Sequence, residues 1–218
     1  MPKDTLYRNR HARVAPFAFN AEVAAVFDDM LTRSIPGYTE LIQRQAQLCR
    51  RFLQPETHLY DLGCSHGNLG LQVLAEAPSV AYTIRAVDNA PAMLTRYRRR
   101  LEAHPQGSRI ALICADLMDV EIRSASVVVI NFTLQFLPPG DRDQLLKRIH
   151  AGLLPGGMLL FSEKIVHCDQ QLTELQIEFY HRFKAENGYS QLEISQKREA
   201  LENVLLPETL QAHEKRLT

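Results

Sequence analysis

The chain has 218 residues, with 25 basic and 25 acidic side chains and a formal net charge of zero. That balance gives no long-range attraction to nucleic acid, so direct contact with RNA or DNA is not expected. Hydrophobic residues make up 45% and charged residues 23%, a composition that buries a full core without disulfides or metal. The cysteines Cys49, Cys64, Cys114 and Cys168 form no CxxC pair. Three of them sit in apolar or glycine-rich surroundings, where thiols act as small buried hydrophobes in a reducing compartment. Met1-Pro2-Lys3-Asp4 opens into polar sequence without the apolar core of a signal peptide, and a cytoplasmic location is expected. The most apolar run, 127–137, is broken by Asn131 and Gln135 and is too short for a bilayer, so no membrane partner is expected.

Residues 1–19 show no clear period and are expected to wrap the surface. Asn20 is placed to N-cap a helix over 21–31, where Val23, Val26, Phe27 and Met30 recur at helical spacing. Arg33-Ser34-Ile35-Pro36-Gly37-Tyr38 breaks that pattern, and a second helix follows over 39–52 until Pro55 ends it. From residue 58 short apolar runs alternate with amphipathic stretches. They predict strands at 59–64, 82–88, 109–115, 126–132 and 158–165, with helices at 67–77, 90–104 and 141–153. Val127-Val128-Val129-Ile130 has no polar alternation, so both faces of that strand are expected to be covered, as in a mainly parallel sheet with helices on each side. Right-handed crossovers then make the fold doubly wound α/β. Further helices are predicted at 171–187 and 192–204, with no strong strand after them. The organisation expected is a helical cap at 1–54, an α/β core at 55–165 and a helical segment at 166–218, together one compact domain.

Asp61-Leu62-Gly63-Cys64-Ser65-His66-Gly67 joins the first strand to a helix. A glycine turn at that point lets a backbone approach a ligand closely and offers free N–H donors at a helix N-terminus. The loop is shorter than a dinucleotide G-x-G-x-x-G, with Ser65 where the middle glycine would stand. The next strand ends at Asp88, followed by Asn89 and by Pro91 at the first turn of a helix. An acid at this position accepts hydrogen bonds from ribose hydroxyls, and the competing reading is a plain N-cap. Asp116 and Leu117, after the third strand, could read and cover an adenine ring. Asn131-Phe132-Thr133 ends the fourth strand on the same side, and Leu153-Leu154-Pro155-Gly156-Gly157 turns the chain into the fifth.

Other clusters read as structural. Arg96, Arg98, Arg99 and Arg100 fit the exposed face of a helix, His66 a solvent-facing loop position, and Phe179, Tyr180 and Phe183 packing or a dimer surface. The eight histidines show no H-x-x-x-H or H-E-x-x-H spacing, so no metal is expected.

Taken in order, the acidic glycine loop, Asp88, Asp116 and the Leu-x-Pro-Gly-Gly turn resemble the class I S-adenosylmethionine-dependent methyltransferases over residues 55–165. The resemblance implies a Rossmann-like core that binds S-adenosyl-L-methionine, with helical N-terminal and C-terminal additions. The antiparallel strand pair that usually closes such sheets is expected to be absent from this chain, either because the chain is shortened or because a tail is missing.

More particular strings point further: Val23-Ala24-Ala25-Val26-Phe27-Asp28-Asp29-Met30, Arg33-Ser34-Ile35-Pro36-Gly37-Tyr38, Asn131-Phe132-Thr133-Leu134-Gln135-Phe136-Leu137, Asn187-Gly188-Tyr189-Ser190 and Glu193-Ile194-Ser195-Gln196-Lys197-Arg198. With these the chain resembles the carboxy-S-adenosyl-L-methionine synthase family from about residue 4 to its end. That resemblance implies conversion of S-adenosyl-L-methionine and prephenate to carboxy-S-adenosyl-L-methionine, phenylpyruvate and water. It also implies a homodimer, and a separate tRNA carboxymethyltransferase that uses the product at wobble uridine. The ligand positions it implies are Tyr38, Gly63, Cys64, Ser65, Asp88, Asn89, Asp116, Leu117, Asn131 and Arg198, with no classical catalytic residue. Arg198 suits a carboxylate, bound bidentately, in its own subunit or across a dimer. The alternatives are a small-molecule methyltransferase with the same core and an idle cofactor-binding protein.

Overall fold

The computed structural model describes residues 2–218. The chain forms two compact units, one of residues 40–163 and one of residues 1–39 with 164–218.

The first unit is the α/β core. Its strands are β1 (Thr57–Leu62), β2 (Tyr82–Asp88), β3 (Ile110–Cys114), β4 (Ala125–Asn131) and β5 (Leu153–Ser162). They pair in the order β3-β2-β1-β4-β5, every pair parallel. Helices α3 (Asn68–Glu76), α4 (Pro91–Glu102) and α5 (Pro139–Gly152) make the crossovers. The chain steps outward from β1 to β3, then returns to β4 on the other side of β1. Right-handed crossovers therefore put α3 and α4 on one face and α5 on the other. The reversal between β1 and β4 opens a crevice at the strands' carboxyl ends, where such sheets bind ligands.

As its unbroken apolar run requires, β4 is buried along Ala125–Ile130. Tyr60, Leu62, Val128, Ile130, Leu145 and Ile149 form one core cluster, which holds β1 and β4 against α5. The fifth strand begins earlier than the sequence pattern suggests. Leu153 already pairs with Ala125, and the register then slips so that Met158 meets Val127. Leu154-Pro155-Gly156-Gly157 is thus taken up as a bulge inside the strand rather than as a turn before it.

The second unit is mostly helical: α1 (Ala21–Ser34), α6 (Gln170–Glu186), α7 (Gln191–Leu201) and α8 (Leu210–Leu217). Helix α2 (Tyr38–Phe52) starts at its margin and belongs mainly to the core. Asn20 caps α1 by accepting the Val23 N–H, and Ser190 and Glu193 form a reciprocal capping box on α7. Two short strands, β6 (Ile165–Val166) and β7 (Glu208–Thr209), pair in parallel. The sequence pattern carried no sign of β7 or α8, since neither a two-residue strand nor a helix of eight mostly polar residues shows a clear period. Among the described residues no strand pair is antiparallel and no helix is long and apolar enough to cross a membrane.

Residues 4–17 are strapped to the helices of this unit. The N–H of Phe17 donates to the Ala200 carbonyl (2.8 Å) and that of His11 to Gln196 Oε1 (2.6 Å). Gln196 Nε2 donates back to the carbonyls of Tyr7 and Asn9, both at 2.9 Å. Beneath the strap lies a buried polar knot. The Tyr189 hydroxyl donates to Asp4 Oδ2 at 2.6 Å, Lys197 Nζ lies 3.7 Å from the same oxygen, and Arg33 donates to the Asp4 carbonyl and to Asp29. The Arg33 guanidinium also stacks 3.8 Å over the Tyr189 ring. Asp4, Arg33, Tyr189 and Lys197 are all buried, and a charge so buried must be paired to be tolerated.

Candidate active site

In the core unit the structure brings eight of the predicted residues to the carboxyl edge of the sheet: Gly63, Cys64 and Ser65 after β1, Asp88 and Asn89 at β2, Asp116 and Leu117 after β3, and Asn131 at the end of β4. The β1 loop is held by its neighbours. Gly63 and Cys64 donate their N–H groups to the Val87 carbonyl (2.8 and 3.0 Å). Gly63 (φ +79°), Ser65 (φ +50°) and Gly67 (φ +90°) all take left-handed backbone conformations. A Cβ on Gly63 would overlap the Thr133 side chain, and one on Gly67 the Tyr97 ring. The loop therefore needs glycine at both ends, while Ser65 accepts a conformation that costs about 1–2 kcal/mol outside glycine.

This winding has a consequence that the sequence pattern missed. Rather than facing solvent, His66 is fully buried, turned in between two left-handed residues. Arg100 fastens the loop from outside, donating to the His66 carbonyl (2.8 Å) and to Asn68 Oδ1 (2.7 Å). One member of the arginine run is thus a loop clamp, whereas Arg98 and Arg99 are exposed.

Asp88 does more than cap a helix. One of its oxygens accepts the Ala90 N–H and the other the Ser65 N–H, both at 2.8 Å. It thereby ties β2 to the glycine loop. A carboxylate has about four acceptor positions, so two are left for ligand hydroxyls. Asp116 is exposed and accepts the Met118 N–H at 2.9 Å, and Leu117 beside it is buried.

The amide of Asn131 is already committed. Asn131 and Gln45 of α2 exchange two hydrogen bonds of 2.8 Å, and Gln45 also donates to Ser162 Oγ (3.0 Å). The side chain of Asn131 thus locks α2 over the end of β4. Nothing in the local pattern marks Gln45, one glutamine in an amphipathic helix. Glu163 was also missed. Its carboxylate accepts the N–H groups of Thr133 (2.9 Å), Leu134 (2.8 Å) and Gln135 (3.2 Å) and so shapes the loop after β4. Burial pushes its pKa up to about 7 against the pull of those N–H bonds and of Arg142. An acid ending the apolar run of β5 was the available signal.

Asp61 supplies the most informative electrostatics. It is buried, and its Oδ2 has no hydrogen-bond partner in the protein. Burial, with the Asp88 charge added, raises its pKa to about 7. A buried acceptor without a donor fits a cationic, hydrogen-bonding ligand group such as an amino-acid ammonium. Cys64 lies in the same field: burial and the charges of Asp61 and Asp88 hold its thiol well above the usual range, so it is no thiolate nucleophile. Of the remaining thiols Cys49 is buried, while Cys114 and Cys168 are exposed, so two of the four, not the three expected, are buried hydrophobes.

Tyr38 and Arg198 lie in the helical unit. Tyr38 opens α2 half-buried, and Arg198 is exposed near the end of α7, with no carboxylate in ion-pair range among the described residues. No group of three or more His, Cys, Asp or Glu side chains that could hold a metal occurs among the described residues.

A parallel β3-β2-β1-β4-β5 sheet with a glycine loop after β1 and an acid ending β2 defines a class I methyltransferase fold. The family profile described as "Methyltransferase domain" matches residues 59–157. The N,N-8-amino-8-demethyl-D-riboflavin dimethyltransferase of Streptomyces davawensis has the same fold, with a TM-score of 0.59 at 18% identity over 90% of this chain and 50% of that one. Two relatives are far nearer in sequence. The carboxy-S-adenosyl-L-methionine synthase of Desulforapulum autotrophicum is 48% identical over 217 residues, covering 100% of this chain and 88% of the relative. That of Vibrio cholerae is 47% identical over 99% of this chain and 87% of its own length. The chain belongs to the carboxy-S-adenosyl-L-methionine synthase family, and is an enzyme that acts on S-adenosyl-L-methionine.

Proposed function

We propose that this enzyme makes carboxy-S-adenosyl-L-methionine from S-adenosyl-L-methionine and prephenate, releasing phenylpyruvate and water. The observation that carries this reading is identity near one half along the whole chain, including the helical unit, to relatives named for that product. A shared methyl-transfer core would leave the helical unit free to diverge.

The core geometry fits the substrate. Asp61 would receive the methionine ammonium, Asp88 the ribose hydroxyls, and Asp116 with Leu117 the adenine, while Gly63, Cys64, Ser65 and Asn89 line the approach. The family resemblance assigns ligand roles to Tyr38 and Arg198 as well, with Arg198 suited to the new carboxylate. In the proposed chemistry prephenate aromatises, losing carbon dioxide and hydroxide. The hydroxide takes a proton from the sulfonium methyl and becomes water, and the resulting carbanion adds to carbon dioxide. No side chain is needed as nucleophile or general base; orientation and exclusion of bulk water carry the rate. The product would serve a separate tRNA carboxymethyltransferase acting on wobble uridine.

We place the enzyme in the cytoplasm as a homodimer. Support for the dimer comes from α6, where Leu172, Leu175 and Phe179 are exposed at 51%, 48% and 58%. Phe179 is therefore not packed inside its own chain, and the stripe suits a subunit contact.

Mass spectrometry of a reaction with both substrates tests the proposal. The expected product is S-adenosyl-L-methionine plus one carbon dioxide, in step with phenylpyruvate. S-adenosylhomocysteine with no carboxylated product would overturn it in favour of ordinary methyl transfer.

A further inference from the structure

Two lysine side chains of the helical unit gather round one aromatic ring. Lys184 of α6 places its Nζ 4.3 Å from the centre of the Tyr180 ring, and Lys164, just before β6, places its own 5.3 Å from the same centre. His181, the next residue on α6, feels the charges of Lys184, Arg198 and Lys164. Lys184 is 6% exposed, yet among the described residues its ammonium has no hydrogen bond and no carboxylate partner, only the ring face. The charges that bear on Lys184 and His181 are all positive. Nor can Tyr180 serve as counter-ion, because burial lifts its pKa to about 12 and keeps it a neutral phenol. Burial and the repulsion of Lys197 and Lys164 bring the Lys184 pKa down to about 7, which shows what it costs to bury this ammonium without a carboxylate.

A fold with no use for this arrangement would put an acid or an apolar side chain at one of these positions. The polar knot shows the contrast within the same unit, since there Lys197 is matched by Asp4. We propose that Lys164 and Lys184, set round the Tyr180 ring with His181 and Arg198 in electrostatic range, form the subsite for a small organic dicarboxylate, the acidic co-substrate of this enzyme. Two carboxylates separated by a carbon frame suit cations on two separate segments. The ring face between the ammonium groups would take the apolar part of such a molecule. That the dicarboxylate is prephenate rests on the function proposed above; the presence of an anion subsite does not.

The test uses the full chain and two variants, Lys184→Met, which keeps the buried length, and His181→Gln. Steady-state formation of the carboxylated product and calorimetric titration with malonate are measured side by side, with S-adenosyl-L-methionine affinity as the control for folding. The subsite predicts a rise of about tenfold or more in the prephenate KM for Lys184→Met, a smaller rise for His181→Gln, and nucleoside affinity unchanged in both. A Lys184→Met enzyme with an unaltered prephenate KM overturns the subsite and leaves the carboxyl-transfer reading standing. If the parent enzyme makes no carboxylated product, that reading fails, and the titration decides the subsite. Malonate binding lost in Lys184→Met upholds it, and equal or absent binding to parent and variant overturns it.

Discussion

The two units bury charge in opposite ways. In the sheet unit the polar groups at the strand ends are mostly satisfied by backbone: Asp88 by two N–H groups, Glu163 by three, the glycine loop by a β2 carbonyl. The helical unit relies on side chains, with Asp4, Arg33, Tyr189 and Lys197 paired in its interior and Lys184 left beside a ring. A site made from backbone is fixed by topology and turn geometry. One made from side chains depends on which residues meet across long stretches of sequence.

The largest effect should come from breaking the backbone-made site. Gly67→Ala puts a Cβ into the fully buried Tyr97 ring at φ +90°. Overpacking and left-handed strain together should cost about 4 kcal/mol, read as a lower urea midpoint, with S-adenosyl-L-methionine binding lost. The matching break in the helical unit is Asp4→Ala, which strips Lys197 and the Tyr189 hydroxyl of a shared carboxylate. It should cost about 3 kcal/mol. Nucleoside affinity retained after Gly67→Ala would show that the loop tolerates what its geometry forbids.

This contrast also explains what could be read from sequence. The core strands, the glycine loop and the acids at 61, 88 and 116 were legible because each depends on local pattern: apolar runs, turn residues and strand ends. His66 misled because burial there follows from two left-handed residues around it, not from the side chain's polarity. Gln45 and Asn131 pair 86 positions apart, and Tyr189 and Asp4 meet 185 apart; no periodicity encodes such meetings. Phe179 stayed open between packing and a dimer surface, since helical spacing shows that a face is apolar but not whether anything within the chain covers it. The Arg198 string carried meaning only through family resemblance, because an exposed helical arginine has no local signature.

The pH dependence of stability separates the units at a smaller scale. Asp61 has a folded pKa of about 7 against an ordinary 3.8, raised by burial and by Asp88. The folded state binds the extra proton, so this group's contribution is complete below about pH 4 and lost as pH rises through 7. Lys184 runs the other way: its folded pKa of about 7 lies below the ordinary 10.5 because of burial and neighbouring lysines. The unfolded state then holds the extra proton, and stability rises from about pH 7 towards 10. Denaturation across pH should show the acid-side slope flattened in Asp61→Asn and the alkaline-side slope flattened in Lys184→Met. A ligand ammonium selects ionised Asp61, so S-adenosyl-L-methionine affinity should climb as pH passes 7 in the parent protein and not in Asp61→Asn. Equal slopes in parent and variants would mean that these groups are solvated as ordinary side chains are.

The smallest change bears on how the helical unit holds its charges. Tyr189→Phe removes one hydroxyl and leaves the ring under Arg33. The lost bond is a hydroxyl donating to a buried carboxylate at 2.6 Å, a charge-assisted contact worth about 1–3 kcal/mol. Asp4 keeps Lys197 at 3.7 Å, and its own N–H still donates to Asp29, so the cost should fall near the lower end, about 1–2 kcal/mol. A double-mutant cycle with Asp4→Asn measures the coupling directly. Coupling near zero would mean that Lys197 and Arg33 alone hold Asp4, and that the strap of residues 4–17 is tied to α7 mainly through Gln196. Coupling of a kcal/mol or more would make Tyr189 the residue that fixes where Asp4, and with it the start of the strap, sits on the helical unit.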